Sequence, residues 1–247
     1  MNQYNLNLSI ILPTYNEKDN ITPLVLDIQT NLKDQEYEVI VVDDDSPDGT
    51  WKVVQELEEK DDRIHILRRC GRSGLTSAIS EGIDSSSGDV VVWMDADLSM
   101  PPEKIKDLLE RVNDGYDLSV ASRYVPGGGI VLIEKSQDSF LSAILSFVMN
   151  FVIQHLLDPS FKDYTSGFVA VKKEVLEDIK LRGDYGEYFI DFVYRSIKKG
   201  YKVTEVPYIC GARQHGTSKT GSNLLQYIKR GQKYIWTTVR LRLTKGR

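Results

Sequence analysis

Apolar residues in the first half of the chain form short continuous runs separated by stretches of helical spacing. Leu8–Leu12, Val39–Val42, Ile64–Leu67, Val90–Met94 and Leu118–Ala121 are each four or five residues long. Runs this short, rich in Val and Ile and closed by Pro13, Asp43 or Asp95, read as strands covered on both faces. Between them, Ile21, Leu24, Val25, Ile28 and Leu32 recur at three- and four-residue intervals and predict a helix over about 20–32. Further helices are predicted from the Ser46–Thr50 turn to about Lys60, from Gly74 to Ile83, and after Pro101-Pro102, since proline is tolerated in a first helical turn.

Strands alternating with helices imply βαβ units and a parallel sheet with helices on both faces. Right-handed crossovers make this a Rossmann-like α/β layout. Ligands in such sheets sit beyond the carboxyl ends of the strands. Three polar clusters fall there: Pro13–Glu17, Asp43–Asp45 and Asp95–Asp97. The irregular stretch Tyr124–Lys135, with Pro126-Gly127-Gly128-Gly129, reads as a loop.

Composition changes this picture little. The chain has 247 residues, 41% hydrophobic and 27% charged, ordinary for a globular protein. Two cysteines, Cys70 and Cys210, build neither a disulfide framework nor a zinc site, and fit a reducing compartment. The N-terminus lacks the basic and apolar regions of a signal peptide. Charge adds more. The net charge is −5, yet no acidic residue follows Glu205, and nine basic ones do: Arg213, Lys219, Lys229, Arg230, Lys233, Arg240, Arg242, Lys245 and Arg247. That end is expected to meet something anionic, a phosphate or a membrane surface. No nucleic-acid-binding motif accompanies it, so nucleic acid is not expected as a partner.

Asp95-Ala96-Asp97 is the sharpest chemical feature. Carboxylates at i and i+2 beyond a strand point the same way if the pleat continues. Their repulsion calls for a counterion, and Mg2+ or Mn2+ sharing the oxygens of a diphosphate is a natural one. Asp43 is free for a base or ribose if Asp45, Ser46 or Asp48 caps the following helix.

Pro13-Thr14-Tyr15-Asn16-Glu17, Val41 through Thr50 (VVDDDSPDGT) and Asp95-Ala96-Asp97-Leu98-Ser99 resemble glycosyltransferase family 2, with its GT-A fold, a mixed and mainly parallel sheet flanked by helices. Ser122-Arg123-Tyr124, Asp163 through Phe168 (DYTSGF), Glu205-Val206-Pro207 and Arg213 through Lys219 (RQHGTSK) narrow the resemblance to dolichyl-phosphate mannose synthases and related polyprenyl-phosphate glycosyltransferases, over about residues 8–235. The resemblance implies that Pro13, Tyr15, Glu17, Val41 and Asp43 line a nucleoside pocket. It sets Asp95 and Ala96 by the sugar and diphosphate, and Asp97 on the metal with Ser99 as a weaker ligand. Arg123 would contact phosphate, and Arg213 and Lys219 would clamp the diphosphate or the acceptor phosphate.

The implied reaction is inverting transfer of a hexose, mannose from GDP-mannose before glucose from UDP-glucose, onto dolichyl or polyprenyl phosphate. A phosphate acceptor is already an anion and needs no general base, so catalysis would rest on positioning and charge neutralisation. Two alternatives stand beside it. One is transfer to a glycan hydroxyl with Asp191 as base, although Asp191 could equally pair with Arg195 four residues on. The other is a non-catalytic nucleotide-sugar-binding subunit. The chain departs from the branch at two places: Ile130 through Ser139 holds one basic residue, Lys135, with Ser142 and Ser146 where an arginine and a serine are usual, and Arg72 replaces the usual lysine before Gly74-Leu75.

Phe140–Leu157 carries no formal charge, but Ser142, Ser146, Asn150 and Gln154 recur every fourth residue, which predicts a surface or packed helix with Leu141, Ile144, Leu145, Val148, Phe151 and Val152 on its apolar face. About Leu224–Leu243 reads as a basic amphipathic helix with Tyr227, Tyr234 and Trp236, suited to an anionic membrane surface. The expected organisation is a catalytic domain over 1–220, including an acceptor loop and interfacial helix over 124–160, followed by the basic helix over 221–247. With no spanning helices, the protein is expected to sit peripherally on the cytoplasmic face of a membrane or to borrow an anchoring partner.

Overall fold

The computed structural model describes residues 7–131, 137–216 and 224–244. The first half follows the apolar pattern closely. Strand β1 (Leu8–Thr14) leads through helix α1 (Lys18–Asn31) to β2 (Tyr37–Asp43), and α2 (Thr50–Glu58) leads to β3 (Ile64–Arg68). Helix α3 (Leu75–Ser85), β4 (Val90–Trp93), α4 (Lys104–Asn113) and β5 (Leu118–Ser122) complete the alternation.

The second half departs from simple alternation. It contains β6 (Gly129–Ile130), α5 (Gln137–Leu156), β7 (Val169–Lys172), α6 (Lys173–Asp178), α7 (Glu187–Lys199), β8 (Val203–Pro207), β9 (Ile209–Cys210) and α8 (Leu224–Thr244). The seven-stranded sheet has the order β3-β2-β1-β4-β7-β5-β8, and β6 pairs with β9 separately. Strand β7 runs antiparallel between β4 and β5, and the other neighbours are parallel. The sheet is therefore mixed and mainly parallel, as expected.

Successive side chains of a strand point to opposite faces, and each face has its own core. Ile10, Leu12, Val39 and Val41 pack with Ile21, Leu24 and Val25 of α1 and Leu108 of α4. Ile11, Ile40 and Val42 pack on the other face with Ile79 of α3 and Phe189, Phe192 and Val193 of α7. Helix α3 comes so close to the sheet that a Cβ on Gly82 would stand 2.6 Å from Ile11 Cγ2. Gly82 admits that approach, and a larger side chain there would push helix and sheet apart.

Helix α5 reverses the usual arrangement. Asn150 and Ile153 are buried against the protein, while Ile144, Leu145, Phe147, Val148, Phe151 and Val152 are exposed. The Asn150 side chain is held inward by two backbone groups: it accepts from Tyr164 N at 2.9 Å and donates to Lys162 O. The side chains of Leu141 and Ser142 fall outside the described residues. Helix α8 packs on α5, where Gly231 faces Met149, and on α7. Its Leu241, Thr237 and Thr238 face inward, whereas Ile235, Trp236, Val239 and Leu243 are exposed. Among the described residues no helix is long and apolar enough to cross a membrane.

Candidate active site

Three strand tips, at residues 13–17, 43–48 and 95–99, gather at the carboxyl ends of β1, β2 and β4, which lie side by side with β1 in the middle. Each contains one residue in the left-handed backbone region: Asn16 (φ 59°), Asp45 (φ 54°) and Leu98 (φ 65°). These are the only non-glycine residues with positive φ among the described residues. Such conformations are costly, least so for Asn and Asp, and they cluster where turns hold functional groups.

The 95–99 turn is built around Asp97. Its Oδ1 accepts from Ser99 N at 3.0 Å and Ser99 Oγ at 2.6 Å, so Ser99 fixes the carboxylate. The C-terminal loop is stitched onto this turn, with Gly211 N donating to Ser99 O and Gln214 N to Asp97 O. That delivers Arg213. Its Nη1 donates to both Glu17 oxygens at 2.9 Å, and its Nη2 lies 3.3 Å from Asp97 Oδ2. Asn20, whose role the sequence did not reveal, donates to Glu17 at 2.7 Å and to His215 O at 3.2 Å, tying α1 to the same loop.

Asp95 is exposed at the tip of β4, in the polar cleft between Asp97, Glu17, Arg213 and Arg123, the groups that bear on its charge. Desolvation lifts its carboxyl to about 7; Asp97 and Glu17 add repulsion, while Arg213 and Arg123 pull the other way. No hydrogen bond to its carboxylate is present among the described residues. Arg123, at the end of β5, is gripped by the fully buried Asp163: Nε donates to Oδ2 at 2.8 Å and Nη2 to Oδ1 at 2.7 Å. Nη2 also donates to Thr165 Oγ1 at 2.8 Å. Burial disfavours the Arg123 charge, but Asp163 overrides it and holds the guanidinium pKa well above its usual value.

The remaining expected residues divide. Tyr15 is exposed and Pro13 half-buried at the β1 tip. Val41 and Asp43 have no exposed surface, because β2 is covered on both faces. Asp43 is not left free by its neighbours. Oδ2 accepts from Thr14 Oγ1 and Ser46 Oγ, and Oδ1 accepts from Ser46 N, so Asp43 itself organises the turn. Ala96 is buried in the core beside the cleft. Lys219 lies outside the described residues. Arg72 reaches Glu81 at 3.2 Å on the surface.

Asp191 does not have the surroundings of a general base. It is 1% exposed; Oδ2 accepts from Arg195 Nε at 2.6 Å and Oδ1 from Arg240 Nη2 at 2.7 Å. Two arginines close off both oxygens, and the second comes from α8. This corrects the alternative in which Asp191 deprotonates a glycan hydroxyl. The role is a clamp between α7 and α8.

No cluster of three or more His, Cys, Asp or Glu that could hold a metal occurs among the described residues. Among the described residues Asp95 and Asp97 are two adjacent carboxylates, fewer than a cation held by protein alone would need.

Residues 9–180 match the glycosyl transferase family 2 model. The chain is 38% identical over 229 residues to a dolichol-phosphate mannosyltransferase of Pyrococcus furiosus, covering 91% of this chain and 62% of that protein. It therefore spans somewhat less than two thirds of the archaeal relative. It is 39% identical over 223 residues to a polyprenol monophosphomannose synthase of Mycolicibacterium smegmatis, covering 87% of this chain and 82% of the relative. Among solved structures, glucosyl-3-phosphoglycerate synthase from Mycobacterium tuberculosis, in complex with Mn2+, UDP and phosphoglyceric acid, superposes with a TM-score of 0.70 at 18% identity, over 97% of this chain and 80% of that one. Mannosyl-3-phosphoglycerate synthase from Rubrobacter xylanophilus gives 0.69 at 20% identity, over 98% and 76%. These likenesses show the GT-A fold; the family match and the two relatives establish that the chain belongs to glycosyl transferase family 2.

Proposed function

We propose that this protein transfers a hexose, mannose from GDP-mannose, onto a polyprenyl phosphate at a membrane surface, inverting the anomeric configuration. The observation that carries the reading is the meeting of Asp95 and Asp97 with Arg213 and Arg123 in one cleft. Carboxylates there suit a cation, and guanidinium groups suit phosphate oxygens. The names of the two relatives supply the acceptor class.

Mg2+ or Mn2+ fits the donor set: among the described residues no hydrogen bond reaches the Asp95 carboxylate beside Asp97, and after desolvation, the repulsion of Asp97 and Glu17 adds to its raised pKa. Asp97 would hold the ion with Asp95 beside it, and Ser99 would orient Asp97. When bound, such an ion acts as a Lewis acid toward the leaving diphosphate. Arg213 exchanges Glu17 and Asp97 for diphosphate oxygens. Arg123, whose Nη1 has no protein acceptor among the described residues, receives the acceptor phosphate. An acceptor oxygen then forms a bond to the anomeric carbon while the bond from that carbon to the diphosphate breaks, and the electron pair leaves with the diphosphate. No proton moves, which agrees with Asp191 being sealed.

The exposed apolar residues of α5 and α8 form the membrane-facing rim, with Trp236 at 70% exposure and Leu243 at 79%. Apolar side chains beside a basic helix are the features of an interfacial attachment. The free thiols Cys70 and Cys210 suit the cytoplasmic face, and a membrane-anchoring partner would strengthen the attachment.

The test is a donor panel. Purified protein is incubated with Mn2+, polyprenyl phosphate and either GDP-mannose or UDP-glucose, and products are weighed by mass spectrometry. The expected result is a hexosyl polyprenyl phosphate from GDP-mannose. Absence of any lipid-linked product, with transfer to a glycan hydroxyl instead, would overturn the proposal.

A further inference from the structure

Glu205 stands in β8, the edge strand of the main sheet, on the far side of Arg123 from the acidic tip. Its two oxygens accept from consecutive backbone groups of the loop before β7: Lys162 N donates to Oε2 at 2.8 Å and Asp163 N to Oε1 at 2.9 Å. The Ser122 hydroxyl, next to Arg123 in sequence, lies close enough to lower the pKa of Glu205. The same loop is held from α5 by Asn150, which pairs with Lys162 O and Tyr164 N. Asp163 is fully buried and grips Arg123 through Nε, Nη2 and the backbone N–H. The connection is thus continuous: a carboxylate on the edge strand, two loop amides, a second carboxylate, and the guanidinium whose charge reaches Asp95.

A half-buried carboxylate spent on two backbone amides needs a reason. Burial raises the Glu205 pKa, against the lowering by the Ser122 hydroxyl and the two amide hydrogen bonds. A loop that only had to be fastened could use a neutral acceptor. Two adjacent N–H donors aimed at one side chain, by contrast, match the two oxygens of a carboxylate and fix both position and rotation of the segment.

We propose that Glu205 is a positioning residue of the transfer site: by holding the amides of Lys162 and Asp163 it sets the Asp163 carboxylate, and through it the stance of Arg123 toward the acceptor phosphate. The idea rests on the acceptor role given to Arg123 above. Glu205→Gln places an NH2 group against one of the two amide donors and loosens the pair. The acceptor KM then rises about tenfold while the donor KM changes less than about twofold, a split that general destabilisation does not produce. In an Arg123→Ala background, adding Glu205→Gln moves the acceptor KM by less than about twofold, because the residue it acts through is gone.

A second readout needs no turnover. The Arg123 Nε–H signal in a 1H–15N spectrum, assigned by its loss in Arg123→Lys, should shift or broaden in Glu205→Gln. If wild-type protein gives no lipid product, the function reading fails, and this spectrum still decides the positioning claim. Glu205→Asp, with a carboxylate too short to reach both amides, should show a smaller shift of the same kind. The proposal is overturned if the Arg123 signal is unmoved, if donor and acceptor KM rise together, or if the two substitutions multiply independently. It is also overturned if neither Glu205 variant folds, since Glu205 would then belong to the fold as a whole.

Discussion

Helices α4 and α5 both carry apolar residues at helical spacing, yet they turn them in opposite directions. In α4, Ile105, Leu108, Leu109 and Val112 are buried and Lys106 and Glu110 face water. In α5 a polar residue, Asn150, is buried and Phe147, Val148, Phe151 and Val152 face outward. Periodicity states that a helix has two faces; it does not state which one meets the protein. That decision falls to specific bonds, and in α5 the backbone groups of Lys162 and Tyr164 claim Asn150. The contrast divides the molecule into a cleft built on ordinary burial and a rim built on its inverse.

If cleft and rim have separate jobs, damage to each should be separable. Asp97→Ala should give the largest effect, a loss on the order of 10³-fold in transfer rate with any acceptor, since the residue that would hold the cation is removed. Initial rates in saturating Mn2+ measure it. Arg213→Ala should cost about 10²-fold in kcat/KM for the donor, equivalent to about 2.7 kcal/mol of lost transition-state stabilisation. Phe151→Glu combined with Trp236→Glu should weaken vesicle co-sedimentation about tenfold or more. Transfer to a short-chain acceptor in detergent should stay within about twofold of wild type, because the cleft is untouched. Equal losses with bilayer and detergent acceptors would erase the distinction between the two regions.

Asp191→Asn tests the joint between them. It leaves Arg195 and Arg240 facing a neutral amide, and breaking such a buried pair costs about 3–5 kcal/mol in denaturant unfolding. The rate per folded molecule should change less than about twofold, whereas a general base would lose orders of magnitude. The smallest effect concerns pH. Asp95 in the folded protein binds its proton more tightly than in the unfolded chain, where the carboxyl returns to about 3.8. Stability of the ligand-free protein should therefore fall as pH rises from about 4 through 7, the folded pKa. Asp95→Asn should flatten that decline in thermal unfolding profiles.

Much of the cleft was legible because its strands are continuous apolar runs ended by Pro13, Asp43 and Asp95, and because a parallel sheet puts those ends together. What the sequence concealed has physical causes. Strand β7 is four residues long and enters between β4 and β5 from late in the chain, so no local pattern announces it. Helix α7 is buried over Glu187–Ser196, its charged residues Glu187, Asp191 and Arg195 included, and residue type alone does not announce that burial. Asp43 looked free because three other residues could have capped the next helix; in the structure Ser46 turns back onto it within the same turn, and its other partner, Thr14, emerges only once β1 and β2 are paired. Asp163 and Glu205 lay in noticed motifs, but their work depends on pairings about forty residues apart.

The central claim is that the Asp95–Asp97 tip takes a divalent cation together with a nucleoside diphosphate. Calorimetric titration of GDP and UDP into wild-type and Asp97→Ala protein, with Mn2+ or with EDTA, tests it most directly. Tight binding of one nucleotide that requires both Mn2+ and Asp97 is the predicted result. Binding of equal strength in EDTA, or in Asp97→Ala, would contradict it.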